Sequence, residues 1–286
     1  MPEHAHRNVL IGLIGSGIQG SLSPALHAAE AAAQGLTLIY QLIDLAVLGL
    51  GPEALPDLLR AAERMGFAGV NITFPCKQLV IPWLDDLADD ARALGAVNTV
   101  VFRGGKRIGY NTDAPGFAAN FREGLPDVAR RLVVQIGAGG AGAAVAHALL
   151  AEGVGCLAVT DRDAAKACEL ADSLNRHFGA GRATVAPDLA TAMARADGVV
   201  NCTPVGMAKF PGSPLPASLL HPALWVADII YFPLETELLA AARAVGCRVL
   251  SGTGMTVHQA AHAFRHFTGL PADAARMSAH MVALIS

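Results

Sequence analysis

The chain has 286 residues, of which 53% are hydrophobic and 16% are charged. This length favours two domains, and the composition can fill large buried cores, which excludes a disordered chain. The formal net charge is −3 at pH 7, so the chain has no basic field for binding nucleic acid or anionic lipid.

Cysteine use and apolar runs indicate the expected compartment. The five cysteines contain no Cys-x-x-Cys pair, and an odd number in a long chain favours reduced thiols in a cytoplasmic protein. The first apolar run, residues 9–11, predicts a short buried strand rather than a signal peptide, and no run has the length of a membrane span. No cysteines and histidines stand at metal-ligand spacing, so no metal site is predicted.

Strand and helix patterns alternate along the first part of the chain. Apolar periodicity and the Gly and Pro positions predict strands at 9–14, 38–43, 69–72, 97–102 and 107–110, with helices at 24–33, 54–65, 84–93 and 117–123. This alternation is typical of an α/β layer with a mostly parallel sheet.

A second strand–helix series follows Gly124 and Pro126, which predicts a domain junction nearby. Its strands are predicted at 132–136, 156–160, 184–186, 198–201, 225–229 and 248–250, and its helices at 141–151, 164–178, 189–194 and 237–245. A long closing helix is predicted at 257–268.

The strand at 132–136 runs into a glycine-rich loop with a G-x-G-x-x-G pattern at Gly137, Gly139 and Gly142. In this context Gly137 makes a tight turn, Gly139 lets the backbone approach a pyrophosphate, and Gly142 lets helix and strand pack closely. The loop is therefore predicted to bind a dinucleotide at the exposed amides of the helix N-terminus. Its residues are Gly137, Ala138, Gly139, Gly140, Ala141 and Gly142. The alternative is a plain strand-to-helix turn that binds no ligand.

The strand at 156–160 is followed by Asp161, 24 positions after Gly137. A carboxylate here would accept hydrogen bonds from the adenosine ribose and repel a 2′-phosphate, which predicts NAD over NADP. Arg162 opposes this because it could hold a 2′-phosphate or stack on adenine, whereas Asp163 adds negative charge. Asp161 could also cap the helix that follows, with or without ribose binding.

Polar side chains follow several strands of the first series. Ser21 and Ser23 offer hydroxyls near a helix start that could bind a carboxylate, although spacing alone favours helix capping by Ser23. Asn71, Thr73 and Lys77 follow the third strand, at the edge where open sheets bind ligands. A lysine after a proline is usually a surface residue, so Lys77 has that alternative as well.

Together these segments resemble the shikimate/quinate dehydrogenase family. The matching motifs run in order along nearly the whole chain: SLSP at 21–24, NITFPCK at 71–77, GAVNT at 95–99, GYNTD at 109–113, GAGGAG at 137–142, VNCTPVGM at 200–207, DIIY at 228–231, and Gly254 and Met255 through Gln259 to Phe264. Eight motifs in order are far more specific than any one of them.

The resemblance implies a two-domain α/β enzyme with its active site in the cleft between the domains. It implies a substrate-binding domain over residues 1–115 with 253–286, to which the closing helix returns, and a Rossmann-type NAD-binding domain over 116–252. The implied reaction is the reversible NAD-dependent oxidation of shikimate, and of quinate, to the 3-dehydro acid. Its implied partner is this small ring acid, with neither nucleic acid nor membrane, and the chain is a monomer or a homodimer.

The resemblance also implies a role for each matching residue. Lys77 and Asp113 are the implied catalytic pair, because the carbinol hydroxyl must lose a proton as hydride leaves its carbon. The implied substrate contacts are Ser21 and Ser23 to the ring carboxylate, Tyr231 beside that carboxylate, and Asn71, Thr73, Asn98, Asp113 and Gln259 around the ring. The implied ribose and nicotinamide contacts are Thr203, Pro204, Gly252 and Met255.

Departures from the family pattern leave the substrate open. Gly-Ile-Gln-Gly at 17–20 and Thr-Asp-Arg-Asp at 160–163 resemble the NAD-using quinate/shikimate branch, but that branch often has threonine where Ser23 stands. A related ring acid such as an aminoshikimate is one alternative, and a dehydrogenase-fold sensor with little turnover is another. A short-chain dehydrogenase is disfavoured, since no tyrosine has a lysine four positions later.

Overall fold

The computed structural model describes residues 8–285. These residues form two compact units, and each is an α/β unit with its own sheet. The first, unit 1, contains the chain up to Thr112 together with Gln259–Leu284, and the second, unit 2, contains Asp113–His258. The predicted α/β class, with two sheets and mostly parallel pairing, is confirmed.

Unit 1 is built on a six-stranded mixed sheet. Its strands are β1 (Asn8–Gly15), β2 (Thr37–Asp44), β3 (Gly69–Ile72), β4 (Asp86–Leu87), β5 (Thr99–Arg103) and β6 (Lys106–Tyr110). They lie in the order β2-β1-β3-β5-β6-β4, with β1 parallel to β2 and β3, and with β5 antiparallel to β3 and β6. The hairpin β5–β6 turns at Gly104 and Gly105, which both have positive φ.

Unit 2 is built on a six-stranded sheet in which all pairs are parallel. Its strands are β7 (Leu132–Ile136), β8 (Cys156–Thr160), β9 (Ala183–Val185), β10 (Gly198–Asn201), β11 (Trp225–Asp228) and β12 (Arg248–Leu250). The order β12-β11-β10-β7-β8-β9 is the doubly wound order of dinucleotide-binding sheets, in which the strand order reverses beside β7.

Eleven helices of the described chain surround these sheets. In chain order they are α1 (Ser23–Ala33), α2 (Leu45–Leu48), α3 (Leu55–Arg64), α4 (Asp89–Leu94), α5 (Asp113–Gly124), α6 (Gly140–Ala151), α7 (Ala164–Phe178), α8 (Leu189–Met193), α9 (Glu237–Val245), α10 (Gly252–Thr268) and α11 (Ala274–Ile285). Across residues 8–285, no helix is both long and apolar enough to cross a lipid bilayer.

Apolar side chains fill both faces of each sheet. In unit 1, Leu55 and Leu59 of α3 pack in one cluster, and Phe267 of α10 packs with Ile11 in another. In unit 2, the Trp225 ring meets Phe121 edge to face at a centroid distance of 5.2 Å, within the larger cluster. Parallel strands buried on both faces explain the near-continuous apolar runs of the sequence.

Several helices differ from those predicted, and α5 is one of them because it begins at Asp113 and not at residue 117. The helix predicted at 84–93 is instead the short strand β4 followed by α4, because Asp85 and Ala88 donate backbone hydrogen bonds to carbonyls of β6. The closing helix begins at Gly252, five residues before its predicted start. Helices α2 and α11 were not predicted.

Candidate active site

A buried amide network lies at the edge of the unit 1 sheet where β3 ends. Asn71 Nδ2 donates to Thr99 Oγ1 at 2.9 Å and to the carbonyl of Asn98 at 3.2 Å. Its Oδ1 accepts the phenol of Tyr40 at 2.9 Å. These bonds fix the amide of Asn71 with its oxygen towards β2 and its nitrogen towards β5.

Asn98 continues this network towards the end of unit 1. Its Oδ1 accepts the Thr112 amide at 2.7 Å, and its Nδ2 donates to Thr112 Oγ1 at 3.0 Å. Thr112 Oγ1 in turn contacts Gln259 Oε1 at 3.5 Å. Three of the predicted substrate residues, Asn71, Asn98 and Gln259, are therefore brought together within one unit.

The segment carrying Thr73 and Lys77 is fastened to the same sheet edge. Thr73 N donates to Ile14 O at 2.9 Å, and Val97 N donates to Lys77 O at 2.8 Å. The Phe74–Pro75 peptide between them is cis. Lys77 is half-buried, and its carbonyl is bonded to Val97, two residues before β5 begins.

The serine pair lies on the loop from β1 into α1. Leu22 occupies the N-cap position of α1, and no side chain caps this helix, so helix capping by Ser23 is wrong. Ser23 is the first residue of α1, and its amide donates to Ser21 Oγ at 3.3 Å. Both serines are half-buried, with their hydroxyls close to the start of a helix.

Asp113 belongs to unit 2, where it opens the first turn of α5. Its side chain is buried, with 7% of its surface exposed. The helix was predicted to begin only at residue 117, so the earlier start is what gives Asp113 its place in a regular element.

The glycine-rich loop of unit 2 joins β7 to α6. Gly137 has φ +105°, and a Cβ there would lie 2.8 Å from the carbonyl carbon of Cys202, so only glycine fits. A Cβ on Gly142 would lie 2.4 Å from the carbonyl oxygen of Gly137. At Gly139 a Cβ would meet nothing within 4 Å, which leaves open space above the N-terminus of α6. The three glycines thus have the geometry that a bound pyrophosphate requires.

Asp161 lies beside this loop at the end of β8. Its Oδ2 accepts the Ala138 amide at 2.7 Å, and its Oδ1 accepts the Asp163 amide at 2.9 Å. Asp163, not Asp161, caps α7, because the Asp163 side chain accepts the Ala165 amide. The capping alternative for Asp161 is therefore wrong, and Arg162 beside it is exposed.

Two further loops of unit 2 share one buried carboxylate, that of Asp228. Its Oδ1 accepts Asn201 Nδ2 and the Ile230 amide, both at 3.1 Å, and its Oδ2 accepts Thr236 Oγ1 at 2.8 Å. Burial raises the pKa of Asp228, although these hydrogen bonds oppose the shift. Asn201 also accepts the amide and the hydroxyl of Thr203.

The remaining predicted residues of unit 2 lie next to these loops. Tyr231 is half-buried and follows Ile230 directly, and burial raises the pKa of its phenol. Pro204 is exposed after Thr203. Gly252 donates its amide to Ile230 O at 3.2 Å, and a Cβ on Gly252 would lie 2.1 Å from Ile229 O. Met255 is buried one turn later.

Sequence reasoning missed Tyr40, Thr99 and Thr112, which complete the unit 1 network. Tyr40 lies in the middle of β2, where no local pattern marks it, and removal from water raises the pKa of its phenol. Thr99 and Thr112 stand inside the GAVNT and GYNTD motifs, so their positions were visible but their roles were not.

Known families match three parts of this chain. The model described as the shikimate dehydrogenase substrate binding domain matches residues 13–100. The model described as shikimate / quinate 5-dehydrogenase matches residues 120–207. The model described as the shikimate 5′-dehydrogenase C-terminal domain matches residues 252–281.

Individual proteins match over nearly the whole length. A shikimate dehydrogenase (NADP(+)) from Streptomyces avermitilis is 60% identical over 96% of this chain and 95% of its own. A quinate/shikimate dehydrogenase (NAD(+)) from Corynebacterium efficiens is 49% identical over 98% of this chain and 99% of its own.

A solved structure agrees with both. The quinate dehydrogenase of Corynebacterium glutamicum in complex with NAD superposes with a TM-score of 0.92, at 46% identity over 97% of this chain and 99% of that one. With these matches, and with the Gly137–Gly142 loop and the Asn71–Asn98 network each in place, the chain belongs to the shikimate/quinate dehydrogenase family of NAD(P)-dependent oxidoreductases.

Proposed function

We propose that this protein catalyses the reversible NAD-dependent oxidation of shikimate, and of quinate, to the corresponding 3-dehydro acid. The observation that carries the proposal is the network in unit 1 through Asn71, Asn98, Thr112 and Gln259. Its amides and hydroxyls are held in fixed orientations at a strand end, which is how a site selects a polyhydroxylated ring by hydrogen bonds.

The proposed substrate contacts divide by chemistry. Ser21 and Ser23 donate hydroxyl hydrogen bonds to the ring carboxylate, and the phenol of Tyr231 lies beside it. Asn71, Thr73, Asn98 and Gln259 bind the ring hydroxyls. A ring acid lacking one of these hydroxyls loses a hydrogen bond that the site offers, worth about 0.5–1.5 kcal/mol, and this difference gives the site its selectivity.

The proposed proton transfer belongs to Lys77 and Asp113. Oxidation removes a hydride from a carbinol carbon and a proton from its oxygen, and the amine of Lys77 takes that proton while Asp113 orients the same hydroxyl. In the reverse direction Lys77 returns the proton to the carbonyl oxygen. The nicotinamide, when bound, accepts or supplies the hydride.

The proposed dinucleotide contacts are the loop Gly137–Gly142, Thr203, Pro204, Gly252 and Met255. We propose NAD as the preferred form because Asp161 stands where the adenosine ribose is expected and would repel a 2′-phosphate. Its oxygens each accept one backbone amide and keep lone pairs for ribose hydroxyls. Arg162 favours NADP, and the similar proteins include one named for NADP(+) and one named for NAD(+). In this proposal the carboxylate of Asp161 outweighs Arg162 and sets the preference for NAD.

The proposed setting is the cytoplasm, where reduced thiols persist, and all five cysteines of the chain are free. We propose no further partner than the ring acid, apart from a possible second copy of the chain. Light scattering at several protein concentrations would distinguish a monomer from a homodimer.

The experiment that tests the function is a set of four initial rates. NADH or NADPH formation is followed by the absorbance of the reduced nicotinamide, with shikimate and with quinate at one pH. Turnover of either acid with NAD, faster than with NADP, is the expected result. Absence of turnover in all four reactions, while NADH still binds, would contradict the proposed reaction and favour another ring acid or a sensor.

A further inference from the structure

The loop that carries the serine pair is held by a carboxylate outside all the family motifs. Asp44 ends β2, and only 2% of its surface is exposed. Its Oδ1 accepts the Gly17 amide at 2.8 Å and the Ala46 amide at 3.1 Å. Its Oδ2 accepts the Ile18 amide at 2.9 Å and Gln19 Nε2 at 3.1 Å.

These four donors use the full capacity of the carboxylate. Each carboxylate oxygen accepts two hydrogen bonds, and a neutral amide in its place would offer only one accepting oxygen. Burial by itself raises the pKa of Asp44, but the N–H groups of Gly17, Gln19, Ile18 and Ala46 together hold the pKa below its ordinary value. The side chain is therefore ionised at neutral pH.

The backbone of the loop is shaped around this anion. Gly17 has φ +70°, in the left-handed region, and this turns the successive amides of Gly17 and Ile18 towards one carboxylate. A Cβ on Gly17 would meet nothing within 4 Å, so the glycine is required by its conformation and not by lack of space.

The fastened segment leads directly into the serine pair. The Ser21 amide donates to Ile18 O at 2.9 Å, which closes a tight turn. The Ser23 amide then donates to Ser21 Oγ at 3.3 Å, and α1 begins. These two bonds link Ile18 to both serines, so a shift at Ile18 displaces their hydroxyls.

We propose that Asp44 is a positioning residue for the ring carboxylate of the substrate, acting through the 17–21 turn on Ser21 and Ser23. This rests on the proposed function, in which these two serines bind that carboxylate. Asp44 compensates its own charge with four N–H donors, so it orients the loop without presenting an unpaired anion to an acidic substrate. Gln19 and Gly17 contribute to the same positioning, because both donate hydrogen bonds to Asp44.

The test compares Asp44→Asn with a matched control. Asp188 also accepts two backbone amides, those of Ala190 and Thr191, but at the start of α8 in unit 2. Asp44→Asn loses acceptors for at least one loop amide, so the KM for shikimate and quinate should rise roughly tenfold. The turnover number, the Kd for NADH and all constants of Asp188→Asn should stay within about twofold of the wild type.

A second pair keeps the test decisive if Asp44→Asn does not fold. Gly17→Ala and Gly35→Ala both place alanine at nearly the same left-handed φ, +70° and +73°, with nothing within 4 Å of the new Cβ. The conformational strain is therefore matched, and only Gly17 lies in the serine loop. Gly17→Ala should raise the ring-acid KM, and Gly35→Ala should not.

Each outcome bears on the inference. A raised ring-acid KM in Asp44→Asn or Gly17→Ala, with unchanged NADH affinity, supports it. Unchanged KM in both folded variants overturns it, and so does a KM equally raised in the two controls, because that is a general stability effect. A wild type inactive with both acids overturns the proposed function and this inference with it.

Discussion

Gly139→Ala separates the fold of the glycine-rich loop from its binding of a dinucleotide. Gly139 has φ −73° and ψ −174°, which alanine adopts readily, and its added Cβ would meet no atom within 4 Å. By contrast, Gly137→Ala combines φ +105° with a Cβ 2.8 Å from the Cys202 carbonyl carbon. The same chemical change therefore has two different consequences two residues apart.

The magnitudes follow from these geometries. Alanine is a poorer N-cap than glycine, which destabilises the fold, but it also lowers the conformational entropy of the unfolded chain, which stabilises the fold. Because these effects oppose each other, Gly139→Ala should change the free energy of unfolding by at most about 1 kcal/mol. Gly137→Ala adds left-handed strain of about 1–2 kcal/mol to a backbone clash, so about 3 kcal/mol in total is expected. Only in Gly139→Ala does the methyl group fill the space that a pyrophosphate needs.

The assay is thermal unfolding without nucleotide together with NADH titration by fluorescence. Gly139→Ala should keep its Tm within about 3 °C of the wild type and weaken NADH binding at least about tenfold. Gly137→Ala should lose both Tm and affinity. If Gly139→Ala binds NADH as tightly as the wild type, the dinucleotide does not cross the backbone at Gly139 and the reasoning from the open space fails.

Three other variants test the remaining assignments. Lys77→Ala should lower turnover about a thousandfold and keep NADH affinity, and equal turnover would contradict its role in proton transfer. Asp161→Asn should lower the preference for NAD over NADP about tenfold, measured as the ratio of kcat/KM values; an unchanged ratio would remove Asp161 from ribose recognition. His27 is buried, and this burial lowers its pKa to about 4 against the opposing effect of Glu30. In the unfolded chain this imidazole takes up a proton below about pH 6.5, whereas in the folded protein it does so only near pH 4. The free energy of unfolding should therefore fall by about 2–3 kcal/mol between pH 7.5 and pH 4.5 because of His27 alone. His27→Gln should show a correspondingly shallower loss in urea unfolding, whereas parallel pH curves would contradict the assignment.

Regular periodicity made most of the fold predictable. The bounds of β3, β7, β8, α7, β10, α9 and β12 agree with those expected from the sequence. The helix prediction at 84–93 was wrong because backbone amides of this segment donate hydrogen bonds to β6. The local sequence pattern does not encode this contact. The predicted start of α10 was wrong because Gly252 and Gly254 are typical of a loop. In the structure both glycines are helical, and they allow the helix to pack closely on Ile229 and Asn120.

The helix α11 could have been found. Met277 and Met281 are buried four positions apart, which is helical spacing, and Asp273 precedes the helix as an acceptor for the Arg276 amide. Motifs identified the proposed substrate residues of unit 1 but not the side chains that hold them in place. Tyr40 and Asp44 both lie on β2, far along the chain from their partners, and only the sheet pairing of β1 with β2 shows why they matter.

In the sequence, unit 2 is inserted between the two segments that form unit 1, so the ribosome completes unit 2 before unit 1. The buried carboxylate of Glu30 is paired with Arg276, 246 residues later, and the ring of His27 lies 6.1 Å from that of Phe264. A ribosome releases the continuous stretch Asp113–His258 before either late partner exists. We therefore expect unit 2 to be able to fold during translation. The face of α1 that packs on α10 and α11 stays exposed until those helices have been made. This exposed face is therefore the part of the nascent chain that we expect to be most prone to aggregation.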